Sequence, residues 1–334
     1  MTELPYQVPE QVLELLRSAG SILLATHENP DPDGLGSVAG CGLALPSLGY
    51  RVARLGTAPL GPPLDLLPGI GSIPVDDGQA EYDLAILFDC RIPGRLGVDS
   101  AALSRCGAVL VIDHHPPADD EESAALEWIV VSAPATTLLA LSMINALGGI
   151  ESVGADVATN LYAGLVVDTG GFRHPSTTAS ALRAGGLLVD RGADAPGITE
   201  LLLHRRRPEA VRLLAAVMEA ARYEAEGRVV FLGVEHSTLR DCGARAAEAE
   251  GLISIASAIE GVALSVMHLE FAPGQWRVSL RAHRPWRVDR IARANGGGGH
   301  VLAAGFRAQG DLAELQAGLL PRLTGELAAG DGRS

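Results

Sequence analysis

Short runs of aliphatic and β-branched residues alternate with amphipathic stretches through the first half of the chain. Continuous apolar runs of this length are typical of strands that are buried on both faces of a parallel sheet, and the amphipathic stretches between them are typical of helices. The predicted strands are Ser21–Thr26, Arg51–Leu55, Asp83–Phe88, Ala108–Ile112 and Trp128–Val131. The predicted helices lie near Glu10–Ser18, Gly36–Leu45, Thr136–Leu147 and Ala155–Val166. The pattern therefore predicts an α/β domain with a mostly parallel, doubly wound sheet.

The second half of the chain has a different pattern, which predicts a linker and a smaller α/β domain with a mixed sheet. From about Ala195 to Tyr223 the pattern is helical and includes the basic run His204–Pro208, which we interpret as a solvated helix or linker. The elements predicted after it are the strand Arg228–Val234, the helix Ala246–Ile259, the paired strands Ala263–Glu270 and Gln275–Ala282, a last helix around Leu312–Leu323 and a loose tail at Ala328–Ser334. We predict domains at 1–193 and 223–334, joined by a helical linker region at 194–222.

Composition places the chain among ordinary globular proteins. It has 334 residues, of which 47% are hydrophobic and 20% are charged, and this length is comfortable for two domains. The segment from Trp128 to Ile150 lacks charge, but its Pro, Thr, Asn and Gly residues fit a buried strand, a turn and a core helix better than a membrane span. No secretory signal is visible, and the widely spaced cysteines form no CxxC pair. We therefore expect a cytoplasmic protein with reduced thiols and no membrane partner.

The net charge of −14 argues against a protein that coats long nucleic acids electrostatically. A small anionic substrate remains compatible with this charge, because bound metals and a local arginine cluster can reverse the field in a cleft. All 26 basic residues are arginine, whose planar guanidinium can bind a phosphate through two hydrogen bonds at once.

Four apolar runs end in side chains that are suited to bind metal ions. The residues are His27, Asp31 and Asp33 after the first predicted strand, Asp89 after the third, Asp113, His114 and His115 after the fourth, and Asp168 after Leu165–Val167. Ligands bind at the carboxyl ends of the strands in such sheets, and carboxylates together with imidazoles suit Mn²⁺, Mg²⁺ or Zn²⁺. We expect the prolines at 30 and 32 to keep the first segment from becoming helical. Taken alone, that segment also fits an Asx-Pro turn with a capping Asp.

A run of four glycines, Gly296–Gly299, precedes His300 near the end of the chain. Glycine lets the backbone approach a ligand closely and turn its N–H groups inward, as in loops that bind phosphate. A flexible turn or a Gly-rich hairpin is an equally good interpretation of the run by itself. Together with the metal-type residues, the run indicates an enzyme that cleaves phosphoesters.

These motifs resemble those of the DHH phosphoesterases. Asp113-His114-His115 matches the signature that names the family, and His27, Asp31 and Asp33 match its first motif. The Gly296–His300 run, preceded by Ser279-Leu280-Arg281, is similar to the DHH-associated domain. The resemblance extends over roughly residues 10 to 325. Within the family the chain is most similar to the bacterial nanoRNases, which degrade short oligonucleotides and also dephosphorylate 3′-phosphoadenosine 5′-phosphate (pAp).

The resemblance implies a site for two Mn²⁺ ions, with Mg²⁺ or Co²⁺ as substitutes. By motif match, His27 and Asp31 would bind one ion, Asp33, His114 and Asp168 would bind the other, and Asp89 would bridge both. His115 would contact the scissile phosphate or assist the leaving oxygen. Asp113 would orient the imidazole of a ligand histidine or cap its loop. The substrate-binding residues implied in the second domain are Arg281, His283, Gly297, Gly298, Gly299 and His300.

The sequence thus predicts a cytoplasmic, Mn²⁺-dependent phosphodiesterase and pAp phosphatase whose two domains close over short single-stranded oligonucleotides. A homodimer is compatible with it, although the oligomeric state stays open. An alternative is an enzyme that cleaves linear or cyclic dinucleotides with the same metals. The glycine run argues against a manganese inorganic pyrophosphatase, and the complete set of metal-type residues argues against a non-catalytic nucleotide sensor.

Overall fold

The computed structural model describes residues 4, 6–56, 60–61, 63–91, 96, 100–116 and 125–332. The chain divides into two compact units, Met1–Arg205 and Arg206–Ser334. This division falls within the segment 194–222, for which we predicted a linker, and the predicted domain bounds themselves remain a prediction.

The first unit is built on a five-stranded sheet with the strand order β2-β1-β3-β4-β5. Every neighbouring pair of its strands is parallel, which confirms the predicted fold class. The strands are β1 Ser21–Thr26, β2 Arg51–Arg54, β3 Tyr82–Phe88, β4 Cys106–Asp113 and β5 Leu126–Ile129. The helices are α1 Glu10–Ser18, α2 Pro32–Ala44, α3 Thr136–Gly148, α4 Ala155–Asp168, α5 Ala179–Asp190 and α6 Ala195–Thr199, and a π-helical turn follows at Glu200–His204.

Strand β1 shows why the predicted strands are continuously apolar. Successive side chains of a strand point to opposite faces of the sheet. Ile22 and Leu24 belong to the apolar cluster that contains α2, α3 and α4, whereas Leu23 and Ala25 belong to a second cluster on the other face. Both faces of β1 are buried, so an alternation of apolar and polar residues would place polar groups in the core.

One predicted feature of the first unit is wrong in detail, and one predicted ligand differs from the others in its position. The segment after β1 is not kept from becoming helical, because Pro32 is the first residue of α2 and Asp31 caps that helix. Proline is tolerated at the first helical position, where its missing N–H has no helical acceptor to bond. Asp168 does not lie at a strand end as His27, Asp89 and Asp113 do: it is the last residue of α4, in agreement with the helix predicted near Ala155–Val166.

The second unit contains a six-stranded sheet with the order β10-β11-β9-β8-β7-β6. Among the described strands of this second sheet, only β7 and β8 pair in parallel, and the other neighbouring pairs are antiparallel. The predicted mixed sheet is therefore confirmed. The strands are β6 Arg222–Glu224, β7 Val229–Val234, β8 Leu264–Ala272, β9 Gln275–Ala282, β10 Gly298–Gly299 and β11 Ala303–Gln309. The helices are α7 Pro208–Glu219, α8 His236–Cys242, α9 Leu252–Ser257, α10 Asp289–Arg293 and α11 Leu312–Asp331.

Two predicted elements of the second unit also differ from the structure. The helix expected over Ala246–Ile259 is split into a 3-10 turn at Ala246–Ala249 and the short α9, with the poor helix former Gly251 between them. Residues 328–331, expected in a loose tail, continue α11, because Leu319, Leu323, Leu327 and Gly330 form one buried face of that helix. Positions 333 and 334 of the predicted tail lie outside the described residues.

The uncharged segment around α3 lies in the core, as predicted. Trp128 is buried in β5, and the first nine residues of α3 are all buried in the first unit. Among the helices that the structure describes, none combines the length and the apolar character needed to cross a membrane.

Candidate metal centre

The carboxyl ends of three neighbouring strands bring the predicted metal-type residues together. Strands β1, β3 and β4 lie side by side in the sheet. His27 and Asp89 directly follow β1 and β3, while Asp113 is the last residue of β4 and precedes His114. Because parallel strands end at the same edge of a sheet, these loops converge there.

A first group of possible ligands consists of His27, Asp31 and Asp89. Their ligand atoms all lie within 4.8 Å of one another. The Nε2 atom of His27 is 3.9 Å from Oδ1 of Asp31 and 3.5 Å from Oδ2 of Asp89. Nδ1 of the same ring lies 2.8 Å from the carbonyl oxygen of Glu28, which orients Nε2 toward the carboxylates. Asp31 also accepts hydrogen bonds from the N–H groups of Asp33 and Gly34, so it caps α2 as well as facing His27.

A second group consists of Asp33, His114 and Asp168, whose ligand atoms also lie within 4.8 Å of one another. The Nε2 atom of His114 is 3.3 Å from Oδ2 of Asp168 and 3.8 Å from Oδ2 of Asp33. Its Nδ1 atom lies 3.1 Å from the carbonyl oxygen of Ala133. Nε2 is buried and has no hydrogen-bond partner of good geometry in the described part of the chain. A buried imidazole nitrogen that faces carboxylates without bonding to them fits a metal ligand.

Asp89 lies between these two groups. It belongs to the first group, its Oδ1 atom is 3.7 Å from Nε2 of His114, and it forms a third group with His114 and His115. Its backbone φ of 55° lies in the left-handed region, which aspartate adopts more readily than most residues. Such conformations are frequent at functional sites. The position of Asp89 suits a carboxylate that contacts two cations.

The histidines compensate for the crowded carboxylates. Burial alone would lower the pKa of His27, but hydrogen bonds with Asp31 and Asp89 outweigh it and raise the pKa to about 10. Burial also opposes protonation of His114, yet the contacts with Asp168 and Asp33 raise its pKa to about 9. The two imidazoles therefore stay protonated beside the carboxylates, and their positive charge balances the negative charge there. A bound divalent cation would displace these protons.

The acidic groups respond to the same crowding in opposite directions. Burial raises the pKa of Asp33 well above its usual value, and the neighbouring Asp168 and Asp89 add to this rise. Burial also raises the pKa of Asp168. Burial of Asp89 is outweighed by hydrogen bonds from His115 and His27, which hold its pKa well below the usual range. Of these three carboxylates, Asp89 is the one that most strongly keeps its negative charge.

His115 differs from the other two imidazoles in its exposure. Its side chain is 48% exposed, against 12% for His27 and 15% for His114. Asp113 accepts hydrogen bonds from the N–H groups of His114 and His115, and its Oδ1 lies 2.9 Å from Nδ1 of His115. Asp113 therefore both holds the loop and orients an imidazole, but that imidazole is His115, whereas the ring of His114 is held by Ala133.

Two further features, which were not predicted from the sequence, hold the carboxylate of Asp33 in place or leave room for it. The first is the start of α3, where the N–H groups of Thr136 and Thr137 donate to Oδ2 and Oδ1 of Asp33 at 2.6 and 2.8 Å. The second is Gly164 on α4, where a Cβ atom would lie 2.6 Å from Oδ1 of Asp33. The signal in the sequence for the first feature is Ala135, which offers no capping side chain to the helix that begins at Thr136.

In the second unit, one face of the sheet borders a cavity of ≈ 790 Å³. Three arginines line it, namely Arg277 and Arg281 on β9 and Arg307 on β11. Arg281 is partly buried, and Arg277 forms an ion pair with Glu250 at 2.8 Å. The predicted residues Gly297, Gly298 and Gly299 also line the cavity.

Two predicted substrate-binding residues have other surroundings. Neither His283 nor His300 is among the described residues that line the cavity. The Nε2 atom of His283 lies 2.7 Å from the carbonyl oxygen of Ser257. The backbone N–H of His300 donates to the carbonyl of Ala303.

The glycine run forms a hairpin, which was the alternative that its sequence left open. Gly298 and Gly299 pair with Gly305 and Ala304 of β11. A Cβ atom at Gly297 would lie 2.1 Å from the carbonyl oxygen of Gly305, and one at Gly299 would lie 2.6 Å from Cα of Ala304. The N–H of Gly297 donates to the carbonyl of Ala292 in α10. These two glycines are thus explained by close packing, whereas a Cβ atom at Gly298 would meet nothing within 4 Å.

Arg281→Ala should raise KM for a dinucleotide about tenfold or more and leave the metal content unchanged. The reason is that the sequence predicts a charge-assisted contact between Arg281 and a substrate phosphate, and the loss of such a contact costs about 1.5–3 kcal/mol. Steady-state kinetics together with elemental analysis measure both effects. Arg290→Ala is the matched control, because Arg290 is exposed and is not among the described residues of the cavity wall. An unchanged KM, or a loss of metal, would show that Arg281 has another role.

The parallel sheet carries at its carboxyl edge a cluster of Asp and His side chains that could hold metal ions. Residues 21–165 match the DHH family, N-terminal domain. The chain is 30% identical over 308 residues to "Bifunctional oligoribonuclease and PAP phosphatase NrnA" of Thermus thermophilus, covering 90% of this chain and 88% of that protein. It is 27% identical over 298 residues to the protein of the same name from Bacillus subtilis, covering 87% of this chain and 91% of that protein.

A solved structure shares the fold. It is that of an exopolyphosphatase-related protein from Bacteroides fragilis, with a TM-score of 0.82 and 22% identity, covering 91% of this chain and 92% of the other. The chain belongs to the DHH family, and it is a phosphoric ester hydrolase. DHH phosphoesterases are metal-dependent, and this chain has the side chains to hold metal ions.

Proposed function

We propose that this chain is a Mn²⁺-dependent phosphodiesterase that degrades short single-stranded oligonucleotides to mononucleotides and dephosphorylates pAp. The observation that carries the proposal is the position of Asp89 between two groups of ligands at the carboxyl edge of the sheet. The names of the Thermus and Bacillus relatives, which describe an oligoribonuclease and a PAP phosphatase, support the substrates.

His27 and Asp31 would hold one cation, Asp33, His114 and Asp168 the other, and Asp89 both. The mixture of carboxylates and imidazoles suits Mn²⁺, with Mg²⁺ or Co²⁺ as substitutes. Two divalent cations would polarise the phosphate ester and activate a water molecule for attack. The buried Nε2 atom of His114, which has no hydrogen-bond partner of good geometry in the described part of the chain, supports this assignment within the second group.

His115 would meet the substrate rather than a cation. It is the most exposed imidazole of the centre, and Asp113 and Asp89 hold its ring at 2.9 and 3.2 Å. An oriented imidazolium at this edge can stabilise charge on the phosphate or donate a proton to the leaving oxygen.

The second unit would bind a neighbouring phosphate through Arg281. Its cavity of ≈ 790 Å³ has room for a small nucleotide, and one of its three arginines is already paired with Glu250. A nuclease that tracks long strands needs a continuous positive groove. With a net charge of −14, this chain is better suited to a few phosphates than to a long strand.

A substrate series tests the proposal. We expect kcat/KM at fixed Mn²⁺ and ionic strength to peak at about two to five nucleotides and to fall toward a 24-mer, because only a few phosphates can be bound at once. We also expect pAp to be dephosphorylated. Efficiency that rises steadily with length would indicate a processive nuclease instead.

The same series separates the alternatives. A preference for cyclic or linear dinucleotides over pAp and three- to five-mers would indicate a dinucleotide phosphodiesterase. Binding of nucleotides without turnover under Mn²⁺ would indicate a sensor, and preferential hydrolysis of inorganic pyrophosphate a pyrophosphatase.

A further inference from the structure

The start of α3 is held by two carboxylates of the metal centre instead of by its own capping residue. Ala135 is the N-cap of this 13-residue helix and offers no side-chain hydrogen bond. The first N–H groups of a helix need acceptors from outside the helix. Here Oδ2 of Asp33 accepts from the N–H of Thr136 at 2.6 Å, and Oδ1 of Asp33 accepts from the N–H of Thr137 at 2.8 Å. Asp33 is fully buried and therefore depends on these donors.

Thr136 has a second contact, through its side chain. Its hydroxyl donates to Oδ1 of Asp89 at 3.2 Å. Thr136 thus touches two carboxylates from different parts of the chain, Asp33 on α2 and Asp89 after β3. These carboxylates come from the two ligand groups described above, so Thr136 connects the groups by direct hydrogen bonds.

The next residue provides a natural comparison. Thr137 is also fully buried and also donates its N–H to Asp33. Its hydroxyl, however, has no hydrogen-bond partner in the part of the chain that the structure describes. The hydrogen bond to Asp89 therefore distinguishes the hydroxyl of Thr136 from that of Thr137.

We propose that Thr136 is a positioning residue that fixes the orientation of the carboxylate of Asp89 between the two cations. This inference rests on the two-cation assignment of the proposed function. Oδ1 of Asp89 lies 3.2 Å from Nδ1 of His115 and 3.7 Å from Nε2 of His114, and the hydroxyl contact with Thr136 helps to select one rotation of the carboxylate beside these rings. The Thr136 hydroxyl supplies that contact from a helix end that is anchored to Asp33. Partners of this kind orient metal ligands and are typically worth 10- to 100-fold in metal affinity.

The experiment compares Thr136→Val, Thr136→Ser and Thr137→Val with the wild-type chain. Valine keeps the shape and the backbone N–H of threonine but removes the hydroxyl. Mn²⁺ binding is measured by calorimetric titration of the metal-free proteins, and the magnetic coupling of the Mn²⁺ pair by electron paramagnetic resonance. We expect Thr136→Val to weaken at least one Mn²⁺ by about 10- to 100-fold and to alter the coupled spectrum. Thr136→Ser should stay within about threefold of wild type, and Thr137→Val should match it.

The outcomes separate this inference from the proposed function. A wild-type chain that does not bind two Mn²⁺ ions would refute the two-cation assignment itself. Two ions in the wild type, with unchanged affinity and spectrum in Thr136→Val, would overturn the role of Thr136 alone. Equal weakening in Thr137→Val would also overturn it, because packing rather than the hydroxyl would then be responsible. If Thr136→Val does not fold, Thr136→Ala against Thr136→Ser decides by the same criteria.

Discussion

Asp89→Ala should lose both Mn²⁺ ions and nearly all turnover while the fold persists. Asp89 lies between the two groups of possible ligands, so under the proposed assignment its removal would take a carboxylate from each cation, and it leaves His27 and His114 without their shared neighbour. The loss should exceed the ~10- to 100-fold effect of an outer-shell partner, reaching on the order of 10³-fold in kcat/KM. Elemental analysis of the purified protein and steady-state kinetics measure the two effects, and circular dichroism reports the fold.

Asp83→Asn is the control for this experiment. Asp83 lies at the opposite end of the same strand, where its carboxylate accepts hydrogen bonds from the N–H groups of Gly20 and Ser21. Its replacement disturbs the same strand without touching the metal centre, so metal content and turnover should stay near wild type. Two tightly bound ions and normal turnover in Asp89→Ala would remove the basis of the two-cation assignment.

His115→Ala and His114→Ala should separate chemistry from metal binding. His115→Ala should keep most of the Mn²⁺ while kcat falls by about 10²-fold or more, because we propose that the exposed imidazole assists the reaction. His114→Ala should deplete one ion, because the Nε2 atom of His114 is buried among the carboxylates of the second group. Each variant serves as the control for the other, and metal analysis with single-substrate kinetics measures both.

The opposite pattern would reverse the two roles. If His115→Ala lost an ion and His114→Ala kept both, the third group of possible ligands, Asp89, His114 and His115, would need to be centred on His115. Consecutive residues leaving β4 point in different directions, so one cation is not expected to use both rings equally.

The parallel sheet was predictable because its central strands β1, β3 and β4 are largely apolar and end at, or are directly followed by, Asp or His. β1 was predicted with the bounds that the structure has, and the residues after β1, β3 and β4 do meet at one edge. The start of α2 was not predictable from the prolines, since proline both disfavours helix in the residue before it and opens helices at their first position. The helix before Asp168 was predicted near Ala155–Val166, and the observed α4 extends two residues further to include Asp168 itself.

The residues that hold the carboxylates and imidazoles in place were harder to predict than the carboxylates and imidazoles themselves. Thr136 and Thr137 act on Asp33 through backbone N–H groups, which every residue except proline carries, so side-chain chemistry gives no indication of this role. The glycine hairpin was hard to predict for a related reason. A side chain at Gly297 or Gly299 would clash with the backbone of β11, but a run of glycines is equally typical of a phosphate-binding loop.

The glycines between α2 and α4 set a limit on how this enzyme can be stabilised by engineering. Replacing a glycine inside a helix by alanine normally adds about 1 kcal/mol of helix stability, and such positions are common targets for thermostable variants. In α4, however, a methyl group at Gly164 would lie 2.6 Å from Oδ1 of Asp33, and in α2 one at Gly36 would lie 2.4 Å from the carbonyl oxygen of Asn160. A gain in helix propensity would disturb the carboxylate of Asp33 at Gly164 and the contact between α2 and α4 at Gly36. Stabilising substitutions in this chain should therefore be sought on other helices.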